Sequence, residues 1–172
     1  YVTGVPLVAV ERFGMSPAMV GAAMGVPPIG FMFGNWVTSR VGRKVALSKM
    51  MIWGRAITLV FLCIGLGVWE LGWTHPATFF GWMIAIGVGN GLTLPAGNAG
   101  AMSVRPDLAG TAAGLSGAFS ILMGGVASAV TGVLLAWSPT PVALFMVLIA
   151  FCIAGLVTAL PARATDRQLA RH

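Results

Sequence analysis

The chain has 172 residues, 58% of them hydrophobic and 8% charged, with a mean hydropathy of +0.92. An ordinary soluble domain is about 45–50% apolar and about 25% charged, so these values exclude a water-soluble globule, and a disordered chain with it. The net charge of +6 would suit nucleic acid, but the basic residues cluster between apolar runs and form no basic helix face, so no nucleic-acid partner is expected.

The expected elements are helical spans of about 20 apolar residues each. The first apolar stretch, 1–10, is too short to cross a bilayer. It has no positive n-region and no cleavage motif, and it reads as a helix cut by the start of the sequence. Glu11 to Met15 reads as a polar turn. Ser16-Pro17 then forms an N-cap and first helical residue, opening a span over 17–39. Pro27-Pro28 near its middle predicts a kink. Arg40-Val41-Gly42-Arg43-Lys44 is a tight basic loop.

A third span covers 45–69, and Glu70 to His75 is the next loop. Pro76 starts a fourth span, 76–101. Ser103 to Asp107 is a polar break, and a Gly- and Ala-rich span follows over 110–137. Ser138-Pro139-Thr140-Pro141 is a turn with Thr140 as N-cap. The last span, 141–160, is stopped by Pro161, and 162–172 is a polar, basic tail. The expected fold is therefore an all-α membrane bundle of five complete spans and a truncated first one. No period-2 alternation marks a β-barrel.

Loop charge sets the orientation. Arg40, Arg43, Lys44, Lys49, Arg105, Arg163, Arg167 and Arg171 share one side, and Arg12 is alone on the other. The first side is read as cytoplasmic, with the C-terminus. Trp69, Trp73 and Trp137 then fall at the outer interface. Cys63 and Cys152 lie in apolar runs and read as small core residues.

Several stretches carry a resemblance. Ser16 to Gly21 looks like the entry to the second helix of a major facilitator superfamily half. Arg40, Gly42, Arg43 and Lys44 match its cytoplasmic loop signature G-x-x-x-D-R-x-G-R-[KR]. Ser39 stands where the acid is expected, and Asn35 where the first Gly is. Gly89-Asn90-Gly91-Leu92-Thr93-Leu94-Pro95, Gly97-Asn98-Ala99, Arg105-Pro106 and Gly110 to Leu115 resemble helices ten and eleven of Bcr/CflA-type multidrug exporters. The resemblance implies the C-terminal six-helix half-bundle of a twelve-helix transporter. It implies alternating access about a central site, in a bacterial inner membrane, with the N-terminal half as partner. Small lipophilic or cationic compounds would be the substrates and protons the coupling ion. A metabolite or sugar exporter of the same superfamily, and a small non-transporting membrane subunit, are the alternatives.

Candidate cavity residues are Asn90, Asn98, Met24, Phe31, Phe119 and Met123. Asn90 sits near mid-span, as a substrate-lining or helix-bridging amide. Met and aromatic side chains suit varied lipophilic ligands. Arg40, Gly42, Arg43 and Lys44 are the candidate gating loop, and Pro27, Pro28 and Pro95 the candidate hinges. Arg55 lies about 8 Å inside the interface marked by Lys49 and is expected to snorkel outward from a lipid-facing helix. The pairs Gly21/Gly25, Gly30/Gly34, Gly87/Gly91 and Gly110/Gly114 favour close helix approach. The four acids Glu11, Glu70, Asp107 and Asp166 lie in loops or at span ends. A coupling carboxylate is therefore expected in the N-terminal half. No metal cluster, cofactor motif or nucleophile–base constellation occurs, and no enzyme activity is expected.

Overall fold

The computed structural model describes residues 2–42, 44–104, 106–137 and 140–169, with backbone alone at 104, 106 and 160–169. Arg43, Arg105, Ser138, Pro139 and Arg171, all used above, lie outside the described residues. So do the side chains of Arg163, Asp166 and Arg167. The described residues form seven α-helices and one 3-10 turn, with no strand among them.

Helix α1, Gly4–Phe13, runs further than expected and takes in Glu11 and Arg12. Gly14 ends it with φ 59°, a conformation that glycine adopts without a Cβ penalty. Its N–H donates to Val10 O at 3.0 Å and that of Met15 to Ala9 O at 3.2 Å, which satisfies the last carbonyls. The polar stretch is thus the last turn of a helix.

Helices α2, Pro17–Ala23, and α3, Val26–Val41, together make a 25-residue span. The Ser16 hydroxyl accepts from Met19 N, as an N-cap should. The expected kink takes the form of a break at Met24-Gly25. Pro27 and Pro28 then fall in the first turn of α3, where a missing N–H costs nothing.

Helix α4 is Leu47–Glu70 and α5 is Pro76–Val104. The turn between them closes through Gly72, at φ 92°. His75 Nδ1 accepts from Ala77 N at 3.2 Å and caps α5. Pro95 sits inside α5 without ending it. A single 3-10 turn, Pro106–Leu108, leads into α6, Ala109–Trp137. Thr140 Oγ1 accepts from Ala143 N at 3.2 Å and caps α7, Pro141–Leu169. The expected stop at Pro161 is corrected: α7 passes through it. A proline removes one N–H, and Ala162, Arg163 and Ala164 after it favour helix. Its apolar part is Pro141–Ala159.

Among the described residues, five helical segments are long and apolar enough to cross a membrane. Helix α5 packs along both α3 and α4, and α4 packs on α7. Glycines set these contacts. A Cβ on Gly87 would run into the Pro27 carbonyl oxygen, and one on Gly91 into that of Phe31. From the other side, Gly30 meets Ile84 O and Gly34 meets Val88 O. Gly89 turns to α4 instead, where a Cβ would strike the Thr58 hydroxyl. A Cβ on Gly54 would stand 2.6 Å from Gly89 O. Gly21 and Gly114 face open space, so two of the four expected glycine pairs make the interface.

The two ends of the bundle differ. At the end carrying the 71–75 loop, Val5, Val8, Val20, Leu62, Trp69, Phe79, Met83, Leu135, Leu144 and Phe145 belong to one buried cluster drawn from six helices. Trp69 belongs to it, edge-on to Phe13 at 5.8 Å, so it is a core residue and no part of an interfacial belt. Trp73 and Trp137 are exposed. At the end carrying the Gly42–Ala46 loop, the buried cluster is Met50, Leu92 and Ala96, drawn from α4 and α5. There the first half of α6 stands apart: from Gly110 to Val126, all residues but Ala112 and Ser116 are exposed.

Gly87→Ala and Gly89→Ala are expected to lower the thermal midpoint in detergent. The cost should reach or exceed the ~1–3 kcal/mol typical of overpacking, because the clashes are with backbone and a buried hydroxyl. Gly21→Ala and Gly114→Ala should leave the midpoint unchanged.

Candidate functional site

The spans carry few polar side chains, and hydroxyls bridge the helices. Thr38 Oγ1 on α3 donates within its own helix to Gly34 O and lies 3.0 Å from Gly91 O of α5. Thr58 Oγ1 on α4 lies 3.0 Å from Gly54 O and 3.1 Å from Ala85 O of α5. Thr93 Oγ1 donates to Gly89 O at 2.7 Å. Thr38 and Thr58 reach the α5 carbonyls because glycines let the backbones close up, while the Thr93 bond stays within α5.

The charged member of this set is Arg55. It lies eight residues after Leu47, about 12 Å along α4. Its side chain is half-buried and turns toward α5 and α7. Nη1 donates to Asn90 Oδ1 at 3.4 Å. Nε lies 3.2 Å from where a Cβ on Gly155 of α7 would stand. The Cys152 thiol donates to Arg55 O at 3.2 Å and ties the two backbones. The expected lipid-facing Arg55 is therefore corrected. No residue spacing signals this junction, since Arg55, Asn90 and Cys152 come from three helices. Cys152 is buried as expected, while Cys63 is exposed and is no core residue.

The other candidates do not converge on one point. Asn90 is half-buried on the α4 side of α5, and Asn98 is exposed. Met24, at the break between α2 and α3, packs on the edge of the large core cluster. Phe31 is half-buried, with its carbonyl against Gly91. Phe119 and Met123 are exposed one turn apart on α6, so they share a face.

Of the gating loop, Arg40 is in the last turn of α3, with its guanidinium carbon 5.2 Å from the Trp36 ring centroid. This is a cation–π contact. Gly42 N donates to Thr38 O at 2.8 Å, and Lys44 is exposed. Pro27 is buried against Gly87 and Pro28 is exposed. Among the described residues no group of three His, Cys, Asp or Glu is placed to hold a metal.

No family model, curated protein or solved structure matches the chain.

The exposed half of α6 yields a direct test. With Cys63 and Cys152 replaced by Ser, cysteines at Phe119 and Met123 are expected to react with a water-soluble maleimide in membranes. A cysteine at Leu135, which is fully buried, should react at least about tenfold more slowly. Equal protection of all three would place the first half of α6 against lipid or protein.

Proposed function

We propose that the chain is a six-helix half of a major facilitator-type secondary transporter, most like the C-terminal half of Bcr/CflA-type exporters. It would move small lipophilic or cationic compounds out of a bacterial cell against a proton gradient. The observation that carries this reading is the difference between the two ends. One end is closed by a core from six helices. At the other, α6 stands off from its neighbours over Gly110 to Val126. A half-bundle closed at one end and open at the other suits a wall of an alternating-access cavity. The exposed Phe119 and Met123 would line that wall. An N-terminal half would complete it and supply the carboxylate for proton coupling. On this reading the basic loop and the C-terminus face the cytoplasm.

A metabolite exporter of the same architecture is the second reading. Arg55, a fixed cation between three helices, favours it, because a positive site repels cations and attracts anions.

The test is efflux from a bacterial strain stripped of its main exporters, expressing the full reading frame that contains this chain. Efflux that a protonophore abolishes, of lipophilic cations or of small carboxylates, is the expected result and separates the two readings. Arg40→Ala with Lys44→Ala should slow it while leaving the inserted amount unchanged. A full frame that moves neither class, though inserted, would leave the small-subunit alternative.

A further inference from the structure

We propose that Arg55 forms an anion-binding site within the membrane, at the junction of α4, α5 and α7, for a phosphate-type oxyanion. The inference stands apart from the transport reading, since it concerns binding alone.

A guanidinium carries five N–H donors and stays charged. Asn90 Oδ1 takes one of them, and at 3.4 Å the bond is long. It is the one acceptor of this side chain among the described residues. Among the described residues no acid is paired with it, and the four acids of the chain all lie away from its position on α4. Glu11 is in the last turn of α1, Glu70 is the last residue of α4, Asp107 is in the 3-10 turn, and Asp166 lies beyond the apolar part of α7. Glu70, on the same helix, is fifteen residues away, about 22 Å along the axis. An ionised side chain at this depth is costly unless it finds a counter-charge.

The surroundings hold the group in place. Cys152 ties the α4 backbone to α7 at Arg55 itself. Gly155 lets the guanidinium pack directly against the α7 backbone, since a Cβ there would stand 3.2 Å from Nε. Asn90 fixes one edge of the fork. What remains is a planar cation with four N–H donors that no protein acceptor takes among the described residues. That is the geometry that binds phosphate oxygens in pairs. A lipid headgroup drawn inward, or a free anion entering from the open end, offers the same chemistry.

The test uses the full chain in phosphatidylcholine nanodiscs. In one arm phosphatidylglycerol is added, and native mass spectrometry counts the lipid retained. In the other, inorganic phosphate is titrated and its binding followed by phosphorus resonance broadening. Saturable binding of one anion per chain is expected in one arm, and the arm identifies the source. Arg55→Gln should weaken it about tenfold, equivalent to about 1.4 kcal/mol. Arg55→Lys keeps the charge but loses the fork, and should weaken it as well. Should Arg55→Gln fail to fold, Gly155→Ala decides the matter: it keeps the charge but crowds the guanidinium, whose Nε lies 3.2 Å from the added Cβ, and weaker binding is expected. Binding that is absent in both arms, or unchanged in the folded variants, overturns the proposal.

Discussion

In a bilayer the lipid tails are as apolar as leucine, so helices gain little from hiding hydrophobic side chains against one another. Contact area and polar bonds must hold them. Here both depend on how closely α5 approaches its neighbours. Gly87 and Gly91 bring it onto Pro27 and Phe31 of α3, and Gly89 onto Gly54 and Thr58 of α4. At that separation Thr38 reaches Gly91 O and Thr58 reaches Ala85 O. The glycines and the hydroxyls are one device. Without the first, the second would reach only carbonyls of their own helix.

The same constraint explains why α6 is loosely held. Gly110, Gly114, Gly117, Gly124 and Gly125 all face open space. The helix is fixed at its far end, where Gly4 of α1 sits against Thr131, Leu135 and Leu144, and Thr3 bonds Ser128. Small residues alone do not make a contact; they permit one where a neighbour carries matching small residues. On α3 and α5 the pairs are in register. On α6 they meet no partner helix within the described residues.

The sequence made the spans legible, because about 20 consecutive apolar residues bounded by Ser16-Pro17, Pro76 or Thr140-Pro141 have few other readings. Ends fixed by weaker signals were misplaced. Glu11 and Arg12 look like a loop, yet one αL glycine two residues on lets the helix include them. Pro161 looks like a stop, yet a proline costs a helix one bond and the residues beyond restore it.

Which way each helix turns was harder to read. A span that is apolar all round gives no hydropathic contrast between lipid and protein, so nothing in the pattern separates the buried Trp69 from an interfacial residue or the exposed Cys63 from a core one. The glycine pairs supplied the missing contrast on α3 and α5.

Arg55 shows where such contrast fails altogether. Its depth along α4 follows from counting residues, and its cost follows from its charge. Its direction follows from neither, because that is decided by Gly155 and Asn90 on two other helices. A lone arginine near a helix end snorkels by default. It turns inward when a gap and an acceptor lie on the inner side, and α7 supplies the gap while α5 supplies the acceptor. One amide leaves most of the donor fork unspent, so the interior position trades easy hydration for a demand that the chain's own described acids do not meet. The feature of this bundle with the most specific chemical requirement is thus the one whose address, though not its orientation, was plain from the sequence.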